Sequence, residues 1–250
     1  EVLVDVSSVN GRIKNLARQQ SEDISERLVR DKVTVLDGSG RFAEHQPGRA
    51  HRVEVLDAIG NVTETVEADV VLLATGGTPR ILDTAVPDGE RILSWREVYE
   101  LTELPEHLVV IGSGVTGAEF ASGYCELGVP VTLVSSRDRV LPGEDPDAAA
   151  VIEQVFTSRG GTLVKRARAS AVRRSGEGVI VELQNGGAPG SDNAAAGGGR
   201  TVSGSHALMC VGSVPNTGGL GLEHVGVRLD DRGYLAVDRV SRTNVPSIYA

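Results

Sequence analysis

Apolar positions recur along residues 12–30 with the period of a helix. Ile13, Leu16, Ala17, Ile24 and Leu28 share one face, with Arg, Gln, Glu and Asp between them. Residues 33–36 then read as a short strand, and Gly38-Ser39-Gly40 as a turn. Residues 52–56 and 62–66 alternate around Ile59-Gly60-Asn61, the pattern of a β-hairpin. Residues 70–74 are continuously apolar, which predicts a strand buried on both faces of a parallel sheet and ended by Thr75-Gly76-Gly77.

Turn-forming residues dominate 79–89, which reads as a crossover between domains. A short helix is expected at 94–101. Beyond it the pattern alternates β-α-β: strand 108–111, helix 115–127, strand 131–134, helix 145–159, strand 162–164. Short alternating strands follow at 170–174 and 179–183. Residues 185–199 (NGGAPGSDNAAAGGG) are too small and polar to bury a core and read as a loop. Residues 207–211 form a last apolar strand. The sequence therefore predicts an α/β chain.

Composition narrows the function classes. The formal net charge of −9 argues against a nucleic-acid-binding face, since neutralising phosphates takes clustered Lys and Arg. Only three of the 25 basic residues are lysines, and none of Lys14, Lys32 or Lys165 precedes Ser or Thr, so there is no P-loop. The longest aliphatic run is too short to span a bilayer. Two cysteines without a CxxC pair fit a reducing, cytoplasmic setting. The histidines show no metal-binding spacing. The chain starts at Glu1 and its single methionine is Met209, which suggests a processed product or an excerpt of a longer polypeptide.

The segment Gly112-Ser113-Gly114-Val115-Thr116-Gly117 follows one apolar strand and opens a helix, and a second strand returns at 131–134. That context distinguishes a dinucleotide-binding fingerprint from a chance GxGxxG. Gly112 permits the tight turn, Gly114 lets a pyrophosphate approach the backbone, and Gly117 lets helix and strand pack closely. The helix N-terminus offers free N–H groups and a positive dipole end. The competing reading is a plain strand-turn-helix with glycines for packing.

The end of the second strand bears on the cofactor. An NAD site usually carries Asp or Glu there for the ribose 2′-OH, whereas arginine can hold a 2′-phosphate. Here the strand runs into Ser135-Ser136-Arg137-Asp138-Arg139. This points to NADPH, or to use of both cofactors. The alternative is a solvated loop in which Asp138 neutralises Arg137 and Arg139.

Two further segments complete a pattern: Ala74-Thr-Gly-Gly-Thr-Pro79-Arg80 after one strand, and Gly212-Ser-Val-Pro-Asn216-Thr217 after the last. With the central fingerprint they resemble the two-dinucleotide-fold flavoproteins, the pyridine nucleotide-disulfide oxidoreductase family that includes lipoamide dehydrogenase and glutathione reductase. Stretches such as DGERILSWREVYEL, LPEHLVVIGSGVTGAEF, ELGVPVTLVSSRDRVLP and GSVPNTGGLGLEHVG look like the actinobacterial NAD(P)H quinone reductase branch.

The resemblance implies two Rossmann-like dinucleotide-binding domains within a longer chain. Residues 1–85 and 213–250 would belong to an FAD-binding domain and 86–212 to an NAD(P)H-binding domain. Gly40, Thr75 and Gly76 would meet FAD. Gly112, Ser113, Gly114, Val115, Thr116, Gly117 and Glu119 would hold NAD(P)H, with Ser135, Ser136, Arg137 and Arg139 around its adenosine ribose and Gly212 on the nicotinamide side. Ser213 departs from the family, many of whose members have Arg there.

The family's cysteine pair would lie before Glu1, and its His-Glu dyad and dimer domain after Ala250, so no catalytic residue is assigned within these 250 residues. The implied activity is FAD-dependent transfer of hydride from NAD(P)H and onward to a quinone, in a homodimer. This stretch alone should bind FAD poorly and not turn over. The rivals are a dihydrolipoamide dehydrogenase-type disulfide reductase and a non-catalytic nucleotide-sensing module. Cys125 and Cys210 read as small buried thiols.

Overall fold

The computed structural model describes residues 4–44, 48–185 and 200–250, so the expected loop at 185–199 falls almost wholly outside the described residues. The chain divides into two compact units, one made of residues 1–17 and 79–213, the other of 18–78 and 214–250.

The first unit is built on a five-stranded parallel sheet in the order Ile92–Ser94, His206–Met209, Leu108–Ile111, Val131–Val134, Thr162–Val164. The helices Val115–Glu126 and Pro146–Ser158 provide its two successive crossovers. This is the parallel sheet typical of FAD- and NAD-binding Rossmann-like domains. The continuous apolar runs have a simple cause: both faces of the sheet are covered. Leu108 and Val110 pack with Ala121, Tyr124 and Phe156 of the crossover helices. Val109 and Ile111 point the other way and pack against Val172, Val179 and Val181. Those valines belong to an antiparallel meander of Ala167–Ser175, Gly178–Asn185 and Arg200–Gly204. Asp145 caps the second helix, accepting hydrogen bonds from the N–H groups of Asp147 (2.9 Å) and Ala148 (3.1 Å), with Pro146 in the first turn.

The expected helix 12–30 is longer, Val6–Arg30. Its first turn is rich in Ser, Val, Asn and Gly, poor helix formers that hid it from the periodicity. Asp5 accepts from the Ser8 N–H at 3.2 Å, and the buried Asn10 side chain donates to the Leu101 carbonyl at 2.9 Å. The short helix expected at 94–101 is a 3₁₀ turn, Glu97–Glu100, preceded by the edge strand Ile92–Ser94.

A polar network closes one end of the sheet. Arg91 donates to His206 Nε2 (3.3 Å), so His206 Nδ1 carries the proton and donates to Ser205 Oγ (3.0 Å). Burial, reinforced by the Arg91 charge, pushes the His206 imidazole below its ordinary 6.5. A depressed folded-state pKa means that the unfolded chain binds more protons on acidification. The contribution of His206 is thus complete above pH 6.5 and is lost as pH falls. Between about pH 7.5 and 5.5 the wild-type Tm is expected to fall more than that of His206→Gln, and equal slopes in thermal melts would remove His206 as a cause.

The second unit holds a three-stranded antiparallel sheet, Ser39–Phe42, His51–Leu56 and Val62–Ala68. The expected hairpin is present. Asp57 accepts from the N–H groups of Ile59 (3.0 Å) and Asn61 (2.8 Å), and Gly60 takes φ +89°. Phe42, Leu222, Val225, Val227 and Ile248 form its core.

Two strand expectations fail here. Residues 33–36 form no strand, and Val33, Val35 and Leu36 are exposed, because no described segment pairs with them. The run 70–74 is not buried on both faces. Only Val71–Leu72 pairs, with Ile248–Tyr249 on one side, and Val70 and Leu72 stay 61% and 68% exposed.

Candidate functional site

Where the parallel strands of the first unit end, a groove of about 880 Å³ opens. Its floor is the turn after Leu108–Ile111, in the crevice where open α/β sheets bind ligands. Gly112 takes φ +107°, and a Cβ built on it would lie 2.1 Å from the Cys210 carbonyl oxygen. A Cβ on Gly117 would lie 1.8 Å from the Gly112 carbonyl oxygen. These two glycines let the helix Val115–Glu126 sit directly on the ends of two strands. Gly114 differs: its φ of −70° suits any residue, and its Cβ would meet nothing within 4 Å. The space beside it is groove.

Gly114 is the N-cap of that helix and has no side-chain cap. The first-turn N–H groups have no acceptor within the helix, and the positive end of its dipole lies there. Gly112, Ser113, Gly114, Val115 and Thr116 line the groove. Arg80, Arg137 and Arg168 line it too, and among the described residues no Asp or Glu does. A dinucleotide diphosphate fits this set on two counts, a backbone bare of Cβ and unused donors, and the uncompensated positive charge fits negative charge beyond the diphosphate.

Of the other residues expected around NAD(P)H, Ser136 and Gly212 are in the lining. Gly117 is buried beneath it, and Glu119 is exposed on the helix outside the lining. Ser135 lies beneath the wall at 0% exposure, tied to Ser113 Oγ at 2.7 Å. Its oxygen also accepts from the Arg137 N–H (3.1 Å) and faces the carbonyls of Arg137 and Arg139, each at 3.2 Å. Ser135 therefore shapes the loop 135–139 rather than presenting a group to the groove. The Arg139 guanidinium donates to the Pro142 carbonyl (3.1 Å) and is absent from the lining. No ion pair joins Asp138 to either arginine among the described residues.

Sequence reasoning missed Arg168, Arg80 and Trp95. Arg168 carries no motif; it is the second residue of the strand Ala167–Ser175. Arg80 ends the segment 74–80, where the glycines drew the attention. Its side chain donates to the Ser213 carbonyl (3.3 Å), beside the position where the family often has Arg. Cys210 also lines the groove, and burial pushes its thiol up to about 12, so it is a neutral thiol. Cys125 Sγ lies 3.5 Å from the Arg159 carbonyl.

In the second unit a cavity of about 510 Å³ brings Gly40 and Thr75 together with Asn216 and Gly218. Asn216 donates from its side chain to the Thr75 carbonyl (2.9 Å) and from its backbone to the Gly76 carbonyl (3.0 Å). Gly76 turns the chain at φ +69° but is not in the lining. Among the described residues no group of three His, Cys, Asp or Glu could hold a metal. No helix among them is long and apolar enough to cross a membrane.

Residues 3–250 match the family model described as pyridine nucleotide-disulphide oxidoreductase. A protein of Mycobacterium tuberculosis named NAD(P)H dehydrogenase (quinone) is 53% identical over 248 residues, which is 99% of this chain and 48% of that protein. A dihydrolipoyl dehydrogenase of Chlamydia pneumoniae is 34% identical over 238 residues, 95% of this chain and 47% of that protein. The crystal structure of LpdA from Mycobacterium tuberculosis is 53% identical and superposes with a TM-score of 0.86, covering 99% of this chain and 51% of that one. The chain spans about half the length of the relatives it matches. It belongs to the pyridine nucleotide-disulphide oxidoreductase family.

Proposed function

We propose that the protein to which this chain belongs is an FAD-dependent NAD(P)H oxidoreductase that passes electrons to a quinone. The groove carries the reading: a dinucleotide-sized space with a Cβ-free edge at Gly114, an uncapped helix N-terminus and three arginines. Residues 86–212, with Arg80 at the edge of the groove, would bind NAD(P)H there. Residues 1–85 and 213–250 would contribute to the FAD domain, with Gly40 and Thr75 against the cofactor and Gly76 turning the chain beside them. Bound FAD would supply the capacity to accept a hydride, and the chain's own part is to hold and orient the nicotinamide donor. In sum, NAD(P)H, a proton and a quinone give NAD(P)⁺ and a quinol. The name of the 53% identical relative supports the acceptor. We read the whole protein as a cytoplasmic homodimer, the two free cysteines fitting a reducing compartment.

Anaerobic titration of the full-length protein with NADPH tests this reading. The flavin band should bleach and then return when a quinone is added. A persistent thiolate–flavin charge-transfer band would instead indicate a disulfide reductase. A full-length protein without flavin would end both readings and leave a nucleotide-sensing module.

A further inference from the structure

We propose that Arg168, not Arg139, is the second arm of a clamp for the 2′-phosphate of NADP(H), with Arg137 as the first. The inference rests on the dinucleotide reading of the groove and names the cofactor form that the groove selects. Arg137 follows the strand Val131–Val134, and Arg168 follows the neighbouring strand Thr162–Val164. Backbone bonds fasten the two segments side by side. The Arg166 N–H donates to the Arg137 carbonyl and the Ala167 N–H to the Ser135 carbonyl, both at 2.9 Å. Arg166 turns the chain there with φ +52°. The buried Ser135 hydroxyl holds the other side of the loop.

Both arginines are exposed and both line the groove, and among the described residues neither forms an ion pair. Two guanidinium groups lining one groove without ion-pair partners offer a doubly charged phosphate charge-assisted hydrogen bonds. Arg139 does not line the groove, and its guanidinium donates to the Pro142 carbonyl. The absence of any described acid from the lining removes the usual partner of an NAD ribose 2′-OH.

The test is direct binding. Trp95 is the only tryptophan and lines the same groove, so its fluorescence reports occupancy without turnover. NADP⁺ and NAD⁺ would be titrated into the chain and into Arg137→Ala, Arg168→Ala and Arg139→Ala, with calorimetry as a second readout. Arg168→Ala should weaken NADP⁺ about thirtyfold through loss of charge-assisted hydrogen bonds and leave NAD⁺ within about twofold. The unchanged NAD⁺ affinity confirms an intact fold. Arg139→Ala should alter neither. An unchanged NADP⁺-to-NAD⁺ ratio in Arg168→Ala, or a collapsed ratio in Arg139→Ala, would overturn the clamp while leaving the groove a dinucleotide site. Wild-type chain that binds neither dinucleotide would overturn the groove reading together with the clamp.

Discussion

Gly117→Ala is expected to destabilise the parallel-sheet unit by about 3 kcal/mol, lowering its Tm by about 9 °C, and to abolish dinucleotide binding. The added methyl would stand 1.8 Å from the Gly112 carbonyl oxygen and 3.3 Å from Cys210 Cβ. The nearer obstacle is backbone, which has no rotamer to turn aside. Relief requires lifting the helix Val115–Glu126 off Leu108–Ile111, and that opens the packing of Ala118 and Ala121, both buried, against the sheet. Dinucleotide binding is lost by the same movement, since the helix N-terminus leaves the groove floor. A Gly117→Ala chain that melts with the wild type would show that close helix–strand packing is not what this glycine provides.

Gly114→Val should do the opposite: lower Tm by only about 3 °C, the cost of valine at an N-cap whose surroundings are open, and weaken NAD⁺ and NADP⁺ alike by at least about a hundredfold. A Cβ there meets no protein atom within 4 Å, so the new side chain occupies the space a diphosphate needs beside the first-turn N–H groups. Equal loss for both dinucleotides separates this change from Arg168→Ala, which affects only the phosphorylated one. Normal dinucleotide affinity in a folded Gly114→Val chain would mean that the diphosphate lies elsewhere. Together the two substitutions divide the GxGxxG segment into glycines that serve the fold and a glycine that serves the ligand. The plain strand-turn-helix reading assigns all three to the fold.

The parallel sheet was legible because both its faces are covered, and full coverage writes itself as uninterrupted apolar runs such as 108–111 and 131–134. Legibility failed where coverage is partial. Residues 33–36 and 70–74 carry the composition of buried strands, yet their backbones find few or no partners in this chain and their side chains stay largely exposed. Edge strands were missed for the complementary reason. Ile92–Ser94 is three residues long, and Arg200–Gly204 follows a low-complexity run.

In the site, the glycine turn was readable because close backbone approach demands glycine at fixed spacing. The charged wall was not. Arg168 reaches the groove because one strand end lies beside another, a relation set by tertiary pairing. In the sequence Ser135 reads as a departure from an acid. Only its burial shows that it props the loop from beneath.

Amide chemical-shift mapping of the chain during titration with NADP⁺ tests the central claim most directly, because it locates the ligand without requiring flavin or turnover. Perturbations should concentrate on Gly112, Ser113, Gly114, Val115 and Thr116, extend to Ser136, Arg137 and Arg168, and be absent from the same titration of Gly114→Val. Saturable binding with those amides unmoved, or the same shifts persisting in Gly114→Val, would contradict it.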